Sequence, residues 1–180
     1  MRYAYADPPY PGQSKRHYGD HADYAGEVDH AALVDQLRSY DGWALSTSST
    51  ALREVWNLCP EARLAVWTKP FAAFKNQRIT FAWEPVLYVA RIGKAENVGH
   101  FVRDWVAAMP PIFTGRNIDG TKGQKPDEFC LWLFDLLGLR HDDDLDDLFP
   151  GSGAVGLAWE RWRRQVRIVA APAVDQLALA

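Results

Sequence analysis

Cysteine is scarce in this 180-residue chain: only Cys59 and Cys130 occur, far apart in segments that read as apolar helix. That excludes a disulfide framework and predicts buried thiols in a reducing compartment. Long hydrophobic runs are missing too, since no stretch reaches the roughly 18 apolar residues of a membrane span. The opening MRYAYADPPY lacks a basic region followed by an apolar run, so secretion is not expected and the chain reads as cytoplasmic. Neither sign of charge dominates: 20 Lys+Arg stand against 23 Asp+Glu, a net charge of -3. Wholesale coating of nucleic acid is thereby excluded, while a local basic surface stays open. Repeats and low-complexity segments are absent. What is present, 48% hydrophobic and 24% charged residues, suffices for one globular domain over residues 1–180 with a core of its own.

Strands alternate with helices along the chain, the pattern of an α/β sheet with parallel pairing. Tyr3 to Ala6 reads as a strand stopped by Asp7-Pro8-Pro9, because proline neither continues a helix nor donates to a ladder. The polar stretch PGQSKRHYGDHADYAGE, residues 11–27, reads as a loop, followed by a helix from Asp29 to Arg38. Strand, helix and strand follow at Trp43 to Thr47, Ala51 to Leu58 and Arg63 to Trp67, the last ending at Lys69-Pro70. Ile79 to Ala90 supplies one or two more strands, and the stretch after Gly93, through Pro110-Pro111 and Gly120, reads as an excursion from the sheet. A helix over Asp127 to Leu137, a solvated acidic turn at residues 142–144 and a strand leading to Phe149 complete the pattern.

Gly151, Gly153 and Gly156 in LDDLFPGSGAVG satisfy G-x-G-x-x-G between that strand and an amphipathic helix from Ala154 to Arg164. Such a turn brings backbone close to a ligand and aims free helix N–H groups at it. It normally follows the first strand of a wound sheet, yet here only about 25 residues come after it by the boundary accuracy of sequence reading. The order is therefore circularly permuted. A dinucleotide domain also needs an acid about 20 positions on; Val169 to Pro172 holds none and Asp175 is the nearest, which speaks against a nicotinamide cofactor.

Asp7-Pro8-Pro9-Tyr10 ends a parallel-type strand, where open α/β sheets bind ligands. A carboxylate and a neighbouring carbonyl make two rigid acceptors, matching the two donors of an exocyclic NH2 group, and Tyr10 offers a face for an aromatic base. Drawing both N–H bonds to acceptors frees the nitrogen lone pair from the ring, so the motif is an amine activator. A proline-rich turn with an exposed Asp is the bland alternative for the tetrapeptide alone.

Taken in order, Asp7-Pro8-Pro9-Tyr10, Gly123-Gln124-Lys125-Pro126 and Asp147-Leu148-Phe149-Pro150-Gly151-Ser152-Gly153 resemble the permuted, beta-class DNA amino-methyltransferases, over about residues 3–165. Trp83-Glu84-Pro85-Val86-Leu87-Tyr88 looks like that family's strand before its recognition segment. The resemblance implies a Rossmann-like three-layer sandwich with a mostly parallel, permuted sheet, and methyl transfer from S-adenosylmethionine to an exocyclic base nitrogen, adenine N6 in the DPPY version. It implies that Asp7 and the Pro8 carbonyl, with Pro9 and Tyr10, hold the target base. Lys125, Asp147, Phe149, Pro150, Gly151, Ser152 and Gly153 then line the cofactor, together with Asp7. The recognition segment, about residues 93–122, is short, which leaves room for a homodimer or a partner specificity subunit. Cytosine N4 or RNA as target, and a noncatalytic binding subunit of a methyltransferase complex, are the rival readings; the intact acceptor pair opposes the last.

Lys15, Arg16, His17 and Tyr18 combine charge with stacking surfaces suited to nucleic acid. Arg116 and Lys122 stand by the recognition segment as phosphate contacts. His17, His21, Asp20 and Asp23 could be drawn as a metal site, but they lack cysteine and regular spacing, and no metal is expected. Trp132 and Trp159 read as core, and Arg161, Arg163, Arg164 and Arg167, on or just past the final helix, as cations favoured by its dipole.

Overall fold

A computed structural model describes residues 1–11, 26–70, 78–90, 101–115 and 123–169, with side chains as far as 164. Six strands form one sheet: β1 (Arg2–Ala6), β2 (Gly42–Ser46), β3 (Arg63–Thr68), β4 (Trp83–Val89), β5 (Trp105–Ala107) and β6 (Asp144–Asp147), in the order β5-β3-β4-β2-β1-β6. Five run one way. Only β4 is reversed, pairing antiparallel with β2 and β3, while β1–β2, β1–β6 and β3–β5 are parallel.

Strand alternation sorts the core into two halves. Tyr3, Tyr5, Ala44, Trp67 and Val86 face α3 (Asp127–Leu137) and α4 (Ala154–Val169), where Phe129, Leu133 and Trp159 meet them. Ala4, Ala6, Trp43, Leu45 and Leu87 face the opposite layer, packing on Leu33, Val34 and Leu37 of α1 (His30–Leu37) and on Val55 of α2 (Leu52–Leu58). The result is the expected three-layer sandwich. Asp29 starts α1 by accepting from the amides of Ala31 and Ala32, both at 3.0 Å. Gly138, at φ 68°, ends α3 in the left-handed conformation that closes its last carbonyls.

Cys59 and Cys130 are buried free thiols, as expected, and burial raises their pKa values to about 11 and about 12. Three expectations need correction. The stretch after Gly93 is not wholly an excursion, because Trp105–Ala107 returns as β5 to cover the open edge of β3. The acidic run is not a solvated turn: Asp143 is buried, and β6 begins at Asp144. The final helix continues to Val169, so Arg161 to Arg164 lie within it and not at its end; Arg161 pairs with Asp127 at 2.6 Å instead. Ile79 to Ala90 yields a single strand, β4. Among the described residues no helix is long and apolar enough to cross a membrane.

Helix α1 follows β1 onto one face, and α4 follows β6 onto the other, so the carboxyl ends of these two adjacent strands form a switch point. Open α/β sheets bind ligands in the crevice that such a divergence opens.

Candidate functional site

Tyr5 stands opposite Asp147 in the β1–β6 ladder, and the Leu148 amide donates to the Tyr5 carbonyl at 2.9 Å. The Asp7-Pro8-Pro9-Tyr10 loop and the glycine turn therefore leave the sheet side by side. Pro8 is buried, Asp7 and Tyr10 are half-buried. Gly151 and Gly153 have φ of 49° and 73°, the left-handed region that a side chain resists, and a Cβ built on Gly153 would meet nothing within 4 Å. The turn presents bare backbone. Ser152 is half-buried and Pro150 exposed beside it, while Phe149 packs back onto the α1/α2 side of the core.

Lys125, carried just ahead of α3, is only 6% exposed and donates to Asp7 Oδ2 at 2.7 Å. The other Asp7 oxygen has no hydrogen-bond partner among the described residues. Burial opposes the Lys125 charge, yet Asp7 and Glu84, with a smaller contribution from Tyr10, raise its pKa. Glu84 Oε2 lies 3.6 Å from Lys125 Nζ, and Glu84 Oε1 accepts from Lys69. Burial works to raise the Glu84 pKa, but the two lysines outweigh it and the net shift is downward. Four alternating charges, Asp7, Lys125, Glu84 and Lys69, thus run along the rim.

Trp67 floors this row: Lys69 Nζ is 4.7 Å and Lys125 Nζ 5.4 Å from its ring, and its indole N–H donates to the Ala108 carbonyl at 3.0 Å. Cations over an indole face are stabilised by its quadrupole. Tyr5 and Tyr10 are both pushed to higher pKa, by burial first and by the Asp7 charge second. Tyr5 also shares a 2.8 Å hydrogen bond with Ser46, tying the ends of β1 and β2 together.

Asp147 is a different case. Its Oδ1 is buried without a partner. Burial and the charge of Asp7 raise its pKa from 3.8 to about 6, with the Phe149 amide and Lys125 pulling it back. A buried acceptor left open at a strand end is a place for a donor that arrives with a ligand. Between the first turns of α3 and α4 lies a cavity of about 270 Å³, lined in part by Gln124, Pro126, Ala154 and Leu157.

The expected residues Asp7, Pro8, Tyr10, Lys125 and Asp147 are brought to one rim, with Lys125 directly on Asp7. Lys15, Arg16, His17, Tyr18, Arg116 and Lys122 lie outside the described residues, as do His21, Asp20, Asp23 and Ala170 to Pro172. Among the described residues no group of His, Cys, Asp and Glu could hold a metal ion. Sequence reasoning passed over Glu84, Lys69 and Trp67 as members of the site. Their signals were present: Lys69-Pro70 repeats the strand-then-proline pattern of Asp7-Pro8, and Glu84 is a lone acid at the head of an apolar strand.

The fold is that of a Rossmann-like α/β protein, with the acidic and glycine-bearing loops at the carboxyl ends of β1 and β6. Two solved structures are similar in fold. The crystal structure of the M1.HpyAVI–SAM complex superposes at a TM-score of 0.59 and 15% identity, covering 89% of this chain and 78% of that one. The crystal structure of M1.HpyAVI gives 0.56 and 16%, covering 89% and 76%. No protein-family model and no curated protein matches the sequence.

Proposed function

We propose that this protein transfers a methyl group from S-adenosylmethionine to the exocyclic amino group of adenine in DNA. The observation that carries the reading is the Asp7 carboxylate: Lys125 holds Oδ2, and among the described residues no donor meets Oδ1, which would accept an incoming N–H beside the Pro8 carbonyl. The cofactor assignment is supported by the shared fold with a protein solved in complex with SAM and by this chain's own residues. Asp147 Oδ1 offers a buried acceptor to an amino or hydroxyl donor, and the turn through Gly151, Ser152 and Gly153 offers open backbone. Phe149 and Pro150 complete that turn. The residues fit the group.

The cofactor, when bound, supplies a methyl group on a sulfonium, already activated, so the chain forms no covalent intermediate. Asp7 Oδ1 and the Pro8 carbonyl accept the two amine N–H bonds and draw the lone pair out of conjugation. Pro9 keeps that carbonyl rigid, and Tyr10 lies against the base. Asp7 would take the proton that the amine nitrogen must release once it has gained the methyl group. Catalysis then rests on in-line placement and aimed acceptors. In duplex DNA the base must first leave the stack, at a cost of a few kcal/mol.

The test is incubation with labelled S-adenosylmethionine and unmethylated DNA, beside Asp7→Ala, with nucleosides identified by mass spectrometry. N6-methyladenine that vanishes in Asp7→Ala is the expected result. N4-methylcytosine, or label entering RNA alone, would move the substrate. No label in any nucleic acid, from folded protein, would overturn methyl transfer in favour of a binding subunit.

A further inference from the structure

We propose that Glu84 is a positioning residue for the amine acceptor, acting on Asp7 through Lys125; the inference deepens the methyl-transfer reading and rests on it. Lys69 and Lys125 bring two ammonium groups within 4.7 and 5.4 Å of the centre of one indole ring, Trp67, and that ring is fixed by its bond to Ala108. Two like charges at one low-dielectric ring repel unless an anion lies between them. Glu84 is that anion, with one oxygen on each lysine.

The topology explains why an acid from β4 is available there. Because β4 is antiparallel to its neighbours, its first residues stand at the rim where the other strands end, with Glu84 paired to Trp67 and Trp83 to Thr68. Lys69 follows immediately and is tied by its amide to the Ala82 carbonyl at 2.7 Å. One side of the bridge is therefore anchored by backbone, and the other reaches the buried Lys125.

The consequence for Asp7 is geometric. Lys125 clamps Oδ2 at 2.7 Å, which fixes the carboxylate and so the place of Oδ1. With Glu84 neutral, Lys125 keeps Asp7 and the Trp67 and Phe129 rings among the described residues, while Lys69 keeps the Trp67 ring. Their repulsion then shifts Lys125, and the carboxylate swings with it. Removing Lys69 as well relieves the repulsion and lets Lys125 settle back onto Asp7. Glu84→Gln should therefore be impaired, and Glu84→Gln combined with Lys69→Met should recover.

Two readouts test this. The first is steady-state methylation at saturating cofactor: Glu84→Gln lowers kcat by about tenfold to a hundredfold, the range for an ångström-scale misplacement. KM for DNA stays within about twofold, as expected when only transition-state placement is lost. The double variant regains at least half of the loss on a logarithmic scale. The second needs no substrate: the lysine side-chain NH3⁺ spectrum by NMR, with the Lys125 signal assigned by its loss in Lys125→Met. That signal is protected from water exchange in the wild type, broadened in Glu84→Gln and restored in the double variant. Thermal melts accompany both, and a single variant that does not fold beside a double variant that folds and methylates carries the same conclusion. A wild type that methylates no nucleic acid overturns the functional reading and the catalytic claim with it. A wild type that methylates, with Glu84→Gln at full rate or a double variant no better than the single, overturns the claim for Glu84 alone.

Discussion

Asp147 is a carboxyl group whose fold works against its charge. In the folded chain its pKa is raised from 3.8 to about 6, by burial and by the neighbouring Asp7. Between those two values the folded protein keeps a proton that the unfolded chain has released. Stability therefore falls as pH climbs through that window and stays lowered above it. Asp147→Asn should raise the melting temperature at pH 7.5, give no such gain at pH 3.5, and flatten the profile between. If the open Oδ1 serves the cofactor, calorimetry on the same variant should show weaker S-adenosylmethionine binding, so that stability and affinity move in opposite directions. An unchanged affinity would remove Asp147 from the cofactor site. Lys125 makes the reverse case, a buried cation that two acids need. Lys125→Met leaves Asp7 and Glu84 facing each other without their shared counter-charge, and urea denaturation should register a loss of about 3 to 5 kcal/mol, the range for breaking a buried pair on one side.

The elements explain why some of this was visible in the sequence and some was not. Strand β1 ends where two prolines stop it, and β6 ends where glycines turn the chain, so both loops of the site could be placed from local chemistry. The helix over Asp127–Leu137 was legible to the residue, because Phe129, Cys130, Leu133, Phe134 and Leu137 repeat at helical spacing and Gly138 stops them. Nothing local announces that β4 is reversed, and with it the arrival of Glu84 beside Lys125 and Lys69; strand order is a property of the whole sheet. The β6 error has a different cause. A strand reading Asp-Leu-Asp-Asp defies hydrophobic alternation, and it persists because among the described strands it is an edge paired with β1, with partners for Asp146. Asp146 accepts from Arg2 at 3.0 Å and from Tyr40 at 2.9 Å. Asp143, just ahead of it, accepts from the Arg140 amide and the Met1 ammonium, both at 2.8 Å. Asp143→Ala strands those donors and should lower the urea midpoint, because the buried carboxylate loses both bonds. At the glycine turn, Gly153→Ala should cost only about 1 kcal/mol, the strain of a side chain at positive φ, since its Cβ meets nothing of the protein. A fall in cofactor affinity beyond that strain would show that the ligand uses the empty space.

At the scale of the whole molecule, the sheet gathers its chemistry on one rim, and the charges there largely cancel. Lys69 and Lys125 are bound to Glu84 and Asp7, so neither is a free cation for a phosphate. The chain as a whole carries -3. The proposed activity then draws its nucleic-acid affinity from basic side chains elsewhere, and Lys15, Arg16, Arg116 and Lys122 are the proposed ones. Each neutralised phosphate contributes about -0.9 to the slope of log K against log salt on duplex DNA. Two to four contacts then give a slope of about -2 to -4, shallow for a DNA-binding protein. Lys15→Glu with Arg16→Glu should weaken DNA binding at low salt, flatten that slope by about 2 and leave S-adenosylmethionine affinity unchanged, because neither residue is among those proposed to line the cofactor. The measurement is fluorescence anisotropy of a labelled duplex across a salt series, beside cofactor calorimetry. A slope near zero in the wild type would mean that phosphates do not carry the binding, and a slope unaltered in the double variant would place the contacts on other residues.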